Sequence, residues 1–206
     1  KFITLEGIEG VGKTTVLTGV ISICENLFGK TVISTREPGG TRLAERFREI
    51  LLDNNDDEIL DYKTELLLFF AGRSQHIARI IEPALREGIF VVSDRFVDAT
   101  YAYQGNGRGL PYNEIDSLVE IVHPNIKPDI TFLLDAPLSV CLERLKNRGN
   151  HDRFERQDSE FFEKVRNGYL QRASDEPERI IVIDSDRSKK EVLDSIQYEI
   201  RKRFRC

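Results

Sequence analysis

The sequence predicts a doubly wound α/β domain, in which helices cover both faces of a parallel sheet. Three observations lead to this fold class. Short apolar runs alternate with longer helical patterns along all 206 residues. The chain contains no internal repeat and no low-complexity linker, and its length suits one hydrophobic core. We therefore expect residues 1–206 to form a single domain.

Five apolar runs of four or five residues are expected to be the buried strands of this sheet. They are Phe2–Leu5, Thr31–Ser34, Ile89–Ser93, Ile130–Leu134 and Ile180–Ile183. The carboxyl ends of parallel strands lie at one edge of a sheet, and open α/β sheets bind ligands there. The segments that follow the strands are therefore the first places to look for a site.

The helical patterns lie between these strands. Thr14–Phe28 is expected to end at Gly29, because glycine readily adopts the left-handed conformation of a helix C-cap. Thr41 is expected to cap the next helix. Further helices are expected at Tyr62–Arg79, Asn113–Val122, Leu138–Asn147, Phe161–Ala173 and Lys189–Phe204. The middle of the first of these is apolar on every side, which is typical of a helix that is buried or lines a site.

Two segments interrupt the alternation of helices and strands. The first is Arg36-Glu37-Pro38-Gly39-Gly40, and the second is the glycine-rich stretch from Tyr103 to Gly109. Each follows the carboxyl side of an expected strand, where a ligand site is expected. Flexible turns without a function are the alternative interpretation of both.

Composition and charge narrow the class of function. Thirty Lys and Arg residues against 35 Asp and Glu give a formal net charge of −5. A domain that binds nucleic acid usually has a strong excess of basic residues, so a nucleic-acid polymer is not expected as a partner. The longest apolar run, Leu66–Ala71, is too short to span a bilayer, so no membrane association is expected.

A cytoplasmic location is expected. The first apolar run begins at Phe2, which leaves no room for a signal peptide within this sequence. The cysteines Cys24, Cys141 and Cys206 are odd in number and lack the spacing of metal ligands. Two of them lie in apolar helical segments, where buried thiols are expected. A reducing compartment fits this pattern.

The segment GIEGVGKT, from Gly7 to Thr14, matches the phosphate-binding pattern G-x-x-x-x-G-K-[ST] in full. It follows an expected strand and opens an expected helix, as the pattern requires. Its backbone N–H groups and the helix N-terminus favour an anion, while Lys13 adds a mobile positive charge. The Thr14 hydroxyl offers an oxygen to Mg²⁺. The residues expected to bind the triphosphate are Gly7, Ile8, Glu9, Gly10, Val11, Gly12, Lys13, Thr14 and Thr15.

Three classes of protein use this loop: switch GTPases, ATPase motors and small-molecule kinases. A GTPase normally reads guanine with an N-K-x-D tetrapeptide, which this sequence lacks. Motors are usually larger and assemble around shared interfaces. A small-molecule kinase needs an anion site for the acceptor phosphate and a basic lid over the donor.

Both features can be recognised. Asp94 and Arg95 follow an expected strand, where the guanidinium can bind a phosphate bidentately; a surface salt bridge is the alternative role for Arg95. Four cations lie among the eleven residues from Lys146 to Arg156, and a solvated surface is the alternative there. We expect a lid at about residues 146–158, because cations around a γ-phosphate stabilise the transition state. The expected fold is a single doubly wound parallel-sheet P-loop kinase domain with helices on both faces and a short basic lid.

The pattern as a whole resembles that of thymidylate kinases, and the bacterial type in particular. The shared motifs are LEG at 5–7 continuing to residue 15, TREPGGT at 35–41, FFAGR at 69–73, SDRF at 93–96, AYQG at 102–105, KPD at 127–129 and LLD at 133–135. Few other P-loop kinases carry both Asp-Arg-Phe and Tyr-Gln-Gly. The resemblance implies a cytoplasmic homodimer that uses ATP and Mg²⁺ to convert dTMP to dTDP for dTTP biosynthesis. Another deoxynucleotide or nucleoside kinase of the P-loop class, or a nucleotide-dependent switch without transfer, is the alternative.

The resemblance also implies roles at the transferring phosphoryl group, which Lys13 and the lid arginines Arg148 and Arg153 would face. In this family a basic lid goes with a phosphate loop that lacks arginine, and Glu9 fits that pattern. The implied catalytic set is Lys13, Arg95, Arg148, Arg153 and Glu9. Magnesium is implied at Thr14, at Asp94 through water, and at Glu160, for which exposed helical surface is the alternative.

For the acceptor, the resemblance implies that Arg95 and Arg36 hold or neighbour the dTMP phosphate. Glu37 would organise magnesium-bound water. Phe69 would stack on thymine, and Arg73 would donate to its carbonyl edge. Thr100 and Gln104 would reach the other polar atoms of the base, and Tyr103 would crowd the 2′ position of the sugar. Arg48 would be a further base or phosphate contact, and Asp94 is also implied as an acceptor residue.

Overall fold

The computed structural model of the chain describes residues 1–54, 58–149 and 152–205. Its centre is a sheet of five parallel strands in the order β2-β3-β1-β4-β5. The strands are β1 (Phe2–Glu6), β2 (Val32–Arg36), β3 (Phe90–Asp94), β4 (Ile130–Asp135) and β5 (Ile180–Asp184). All five expected strands are confirmed. Because β1 lies between β3 and β4, the segment after β1 is at the middle of the carboxyl edge.

The helices confirm most of the expected boundaries. They are α1 (Lys13–Phe28), α2 (Arg42–Leu52), α3 (Tyr62–His76), α4 (Glu82–Arg86), α5 (Val97–Thr100), α6 (Tyr112–Val122), α7 (Leu138–Lys146), α8 (Ser159–Asp175) and α9 (Lys189–Phe204). Gly29 is the C-cap of α1, with a left-handed φ of 61°. Thr41 caps α2, and its hydroxyl oxygen accepts from the Ala44 N–H at 3.1 Å. None of the helices in the described ranges is long and apolar enough to cross a bilayer.

Two apolar cores lie on opposite faces of the sheet. Phe2 of β1 and its neighbour Val91 of β3 pack with residues of α3 and α6. Ile3 and its neighbour Val92 pack with residues of α1 and α9. Successive residues of a strand face opposite sides, so helices cover both faces as the sequence predicts.

The glycine-rich stretch from Tyr103 to Gly109 is mostly helical, which corrects its expected role as a break. Helix α5 continues directly into a π-helical segment at Tyr101–Gly107. A Cβ added at Gly107 would lie 2.7 Å from a ring atom of Phe161, so this glycine allows the segment to pack closely on α8. Similarly, α3 continues through a π-helical segment at Ile77–Ile81 into α4, beyond the expected end of that helix.

A buried histidine gives the fold a testable dependence on pH. His123 is 4% exposed; its Nδ1 donates to the Ile126 carbonyl oxygen at 3.1 Å, and no described residue bonds to its Nε2. Burial, and then the positive charge of Arg73, lower the pKa of His123 from its ordinary 6.5 to about 4. The unfolded chain therefore binds a proton that the folded chain excludes, so stability falls as the pH drops from about 6.5 towards about 4.

We expect the free energy of unfolding, measured in urea, to fall more between about pH 7 and about pH 5 in the wild type than in His123→Phe. The phenylalanine ring fits the same aromatic surroundings, since the histidine ring lies 5.1 Å from that of Phe96. An equal loss in both proteins would show that His123 does not titrate as described.

Candidate active site

The phosphate loop (residues 7–15) connects β1 to α1 and packs closely against the rest of the chain. Gly7 and Gly10 have φ angles of 134° and 75°, which side chains rarely allow. A Cβ would lie 2.4 Å from the Leu134 carbonyl oxygen at Gly7 and 2.2 Å from the Cys141 carbonyl oxygen at Gly10. No described side chain caps the N-terminus of α1, so its first N–H groups remain for an anion.

Lys13 is held inside this loop. Its Nζ donates to the carbonyl oxygens of Gly7 at 2.8 Å and Ile8 at 3.2 Å. Burial, and then the positive charge of Arg95, lower the pKa of Lys13 to about 8. Ile8 and Val11 are buried in the apolar core, so only their backbone is suited to contact a phosphate.

A cleft of about 430 Å³ opens above the loop. Around it lie Glu9, Gly10, Gly12, Lys13, Thr14, Thr15, Arg48, Asp94, Arg95, Arg144, Arg148, Asp152 and Glu155. This phosphate-loop cleft combines a lysine and four arginines with the N-terminus of α1. Such a set is suited to a polyphosphate.

The residues at this cleft fit a magnesium ion held partly by phosphates. Asp94 Oδ1 is buried and has no hydrogen-bond partner among the described residues, while the Thr14 side chain is exposed to the same cleft. In the described part of the chain, no three His, Cys, Asp or Glu residues are grouped so as to bind a metal. Mg²⁺ usually takes one or two carboxylates together with substrate phosphates and waters, so this sparse set is sufficient.

Arg95 is fixed at the end of β3 by three side chains. Its guanidinium donates to Glu9 Oε1 at 2.8 Å, to the Tyr169 hydroxyl at 2.8 Å and to the Tyr103 hydroxyl at 3.1 Å. It also lies over the Tyr103 ring, 4.9 Å from the ring centroid, and the Tyr103 hydroxyl donates to Glu9. Arg95 has a left-handed φ of 72°, and its carbonyl oxygen accepts from the Ser93 hydroxyl at 2.7 Å.

Glu6 stabilises the turn that carries Arg95. The Phe96 N–H donates to Glu6 Oε1 at 2.7 Å, and the Tyr169 hydroxyl donates to Glu6 Oε2 at 2.7 Å. Burial and the neighbouring Asp98 carboxylate raise the pKa of Glu6 to about 8. Tyr169 was missed by the sequence analysis, because a tyrosine in the apolar face of a helix is indistinguishable from a core residue.

A second, smaller cavity of about 80 Å³ lies beside Arg95. The residues around it are Glu9, Glu37, Pro38, Arg48, Leu52, Phe69, Arg95, Ala99, Tyr103, Gln104, Asp152 and Phe154. We call it the Phe69 cavity. Phe154 covers it, with its ring centroid 6.0 Å from that of Phe69 and 5.8 Å from that of Tyr103.

Arg73 is buried next to this cavity. Its Nε donates to Glu37 Oε2 at 2.8 Å and its Nη2 to the Thr100 hydroxyl at 2.9 Å. Its Nη1 has no hydrogen-bond partner among the described residues. Burial acts to raise the pKa of Glu37, but Arg73, and then His76, outweigh it, so that pKa lies below its ordinary value. A buried guanidinium N–H group without a partner is costly, so Arg73 is suited to a ligand oxygen.

Known proteins resemble this chain over nearly its whole length. The thymidylate kinase family model matches residues 5–196. The chain is 48% identical over 198 residues to the thymidylate kinase of Methylobacillus flagellatus, covering 94% of this chain and 95% of that protein. It is 50% identical over 207 residues to that of Chromohalobacter salexigens, with 99% and 96% covered. The chain belongs to the thymidylate kinase family.

A solved structure leads to the same family. The crystal structure of the thymidylate kinase from Ehrlichia chaffeensis matches with a TM-score of 0.79 and 35% identity, covering 97% of each chain. The predicted family and fold class are therefore both confirmed.

Not every residue that the resemblance to thymidylate kinases implied lies at a cavity. Arg36 lines neither cavity. Its side chain is 53% exposed and pairs with Glu45 at 2.8 Å. Glu160 also lines neither; it is 74% exposed and pairs with Lys164 at 2.7 Å. The magnesium role of Glu160 stays a prediction, and this position is the one expected for the alternative of exposed helical surface.

The lid arginines of this thymidylate kinase family member differ in position. Arg148 lines the phosphate-loop cleft and pairs with Glu155 at 2.9 Å. Arg153, expected to face the phosphoryl group, instead donates from Nη2 to the buried Glu65 at 2.7 Å and from Nε to the Leu51 carbonyl oxygen at 3.0 Å. A buried carboxylate attracts the nearest guanidinium more strongly than an open cleft does. Residues 150 and 151 of the expected lid, and Cys206, lie outside the described residues.

A further cation lines the phosphate-loop cleft of this family member, and it was not predicted from the sequence. Arg144 of α7 lines the phosphate-loop cleft and pairs with Asp186 at 3.5 Å. It lies in the last turn of α7, four residues before Arg148, which follows the end of that helix. This nearness to the expected lid was the signal available in the sequence.

Proposed function

We propose that this protein transfers the γ-phosphoryl group of ATP to dTMP, giving dTDP and ADP for the synthesis of dTTP. One observation carries the proposal: the phosphate-loop cleft and the Phe69 cavity share Glu9, Arg48, Arg95 and Asp152 as lining residues. A donor phosphate in the cleft and an acceptor phosphate beside the cavity would therefore meet at Arg95. The relatives named as thymidylate kinases support dTMP as the acceptor.

Positioning and charge account for the proposed catalysis, because phosphoryl transfer leaves little covalent work for the protein. Lys13 would bind the β- and γ-phosphates, and Arg95 would orient the acceptor phosphate through its spare N–H groups. Arg148 and Arg144 would stabilise charge on the transferring group. Thr14 and Asp94 would hold Mg²⁺, which would supply positive charge to offset the negative charge of the phosphates.

The adenine of ATP would occupy a third cavity, of about 260 Å³, between α1 and the segment after β5. The residues around it are Val11, Gly12, Thr15, Val16, Leu134, Arg144, Ser185, Arg187, Lys189 and Val192. It adjoins the phosphate-loop cleft because Gly12, Thr15 and Arg144 line both. A nucleotide whose phosphates lie on the loop would reach it directly.

The acceptor base would lie on Phe69, with Arg73 at its carbonyl edge and Tyr103 beside the sugar. At about 80 Å³ the Phe69 cavity is too small for this arrangement as it stands. Asp152 and Phe154 of the lid segment must therefore move away when dTMP binds. Closure afterwards would exclude water from the transferring phosphoryl group.

The assembly and location are part of the proposal, and the resemblance to thymidylate kinases supports them. We propose a homodimer in the cytoplasm. Large apolar side chains are exposed on neighbouring helices, with Leu43 and Ile50 on α2 and Leu67 on α3, and these suit a subunit interface. Cys24 and Cys141 are buried thiols, in keeping with a reducing compartment. The net charge of −5 argues against a nucleic-acid polymer as partner.

A turnover assay with ATP and a panel of monophosphates tests the proposed function. We expect kcat/KM to be highest for dTMP and lower for dUMP by about tenfold or less, because one methyl group contributes about 1 kcal/mol. The purine monophosphates and dCMP should be far poorer, since purines are too large and cytosine presents an amino group towards Arg73. Turnover of CMP or GMP as fast as that of dTMP would show that the acceptor site is wrongly assigned.

A further inference from the structure

Glu65 is a buried carboxylate to which the sequence analysis gave no role. It lies on α3, one helical turn before Phe69, and its side chain is 0% exposed. Three of the described residues donate to it: Gln104 through Nε2 at 2.8 Å, Arg153 through Nη2 at 2.7 Å, and Arg108 through Nε and Nη2 at 3.4 Å each. Glu65 therefore joins a residue of the Phe69 cavity to an arginine of the lid segment.

The charge of Glu65 fixes which way the Gln104 side chain points. Two guanidinium groups contact Glu65, and a carboxylate paired in this way can only accept hydrogen bonds. The amide nitrogen of Gln104 must then face Glu65, because its oxygen would meet another acceptor. Gln104 Oε1 accepts from none of the described residues, and Gln104 itself lines the Phe69 cavity. The cavity is thus offered an acceptor from Gln104, while Arg73, whose Nη1 has no hydrogen-bond partner among the described residues, bonds to the cavity residue Glu37.

We infer that Glu65 determines base specificity by locking the Gln104 amide so that its oxygen accepts the N3–H of thymine. Thymine and uracil carry that hydrogen beside a carbonyl oxygen that Arg73 would bind. Cytosine has an N3 without hydrogen and an amino group at the same two positions. The Gln104 oxygen would then face another acceptor, and Arg73 would face another donor. This inference rests on the proposed function and adds to it the residue that orients the pyrimidine-reading amide.

A purely structural role for Glu65 would have a different signature. If Glu65 only anchored the lid through Arg153 and Arg108, its loss would slow every pyrimidine monophosphate to the same degree. An orienting role changes the ratio between dTMP and dCMP, because rotation of the amide exchanges acceptor for donor. The ratio of the two kcat/KM values therefore separates the two roles.

The test uses the full chain with Glu65→Gln, a substitution of nearly the same shape. The amide introduced at this position can donate as well as accept, so Gln104 is free to present either end of its own amide. We expect the ratio of kcat/KM for dTMP to that for dCMP to fall by about 10-fold or more, which is within the cost of one mismatched buried polar pair. Gln104→Ala removes the oriented oxygen and should lower the ratio to a similar extent, so it keeps the test available if Glu65→Gln fails to fold.

Two further variants distinguish the outcomes. In the Gln104→Ala background, Glu65→Gln should lower the ratio no further, because the two residues act through one contact. Arg153→Ala removes a second donor from Glu65 but leaves Gln104 in place, so it should change turnover without changing the ratio. An unchanged ratio in Glu65→Gln or in Gln104→Ala, with the wild type still using dTMP, would overturn this inference alone. A wild-type protein without dTMP turnover would instead overturn the proposed function, and this inference with it.

Discussion

Replacing Lys13 with alanine is expected to abolish phosphoryl transfer while leaving dTMP binding nearly intact. The Lys13 ammonium lies within the phosphate loop, bonded to the carbonyl oxygens of Gly7 and Ile8. It lines the phosphate-loop cleft but not the Phe69 cavity. Its loss therefore removes the mobile positive charge proposed to bind the β- and γ-phosphates and leaves the acceptor contacts in place.

The separation is measured with a coupled turnover assay and with calorimetric titration of dTMP. Lys30→Ala is a matched control, since Lys30 is an exposed lysine just beyond the other end of α1. We expect the control to retain both activity and binding. A folded Lys13→Ala protein that no longer binds dTMP would show that the donor and acceptor sites are not separate in the way described.

The elements near the phosphate loop could be predicted because local rules determine them. The strand before the loop is short and apolar, the loop pattern requires a helix after it, and Gly29 ends that helix for conformational reasons. The position of Arg95 at the sheet edge follows in the same way from the end of an apolar strand. In each case the signal lies within a few residues of the feature that it predicts.

The residues and contacts that were not predicted depend on partners far away in sequence. Tyr169 supports Arg95 from 74 positions away, and Glu65 binds Arg153 from 88 positions away. In a run of charges, nothing local tells an arginine that lines a cleft, such as Arg148, from one that is drawn to a buried carboxylate. Gly107 gives a turn signal in the sequence, but its function is close packing against Phe161.

Substitution of Arg95 by lysine is expected to lower kcat/KM for dTMP by about 10²–10³-fold, although the charge is retained. The guanidinium bonds to Glu9, Tyr169 and Tyr103 at once and, in the proposed function, also holds the acceptor phosphate. An ammonium group has three donors and no planar fork, so it cannot satisfy these partners and bind a phosphate bidentately.

The effect should appear in the kcat/KM for dTMP and not in the KM for ATP, because Arg95 is proposed to hold the acceptor. Steady-state kinetics with each substrate varied in turn measure this, and Arg86→Lys serves as the matched control. Arg86 is 74% exposed on α4 and forms a surface pair with Glu82, so its conversion to lysine should change kcat/KM by less than about twofold. If Arg95→Lys keeps the wild-type kcat/KM for dTMP, a charge alone suffices at this position. The three fixed hydrogen bonds would then serve the fold of the β3 turn and not the orientation of the acceptor.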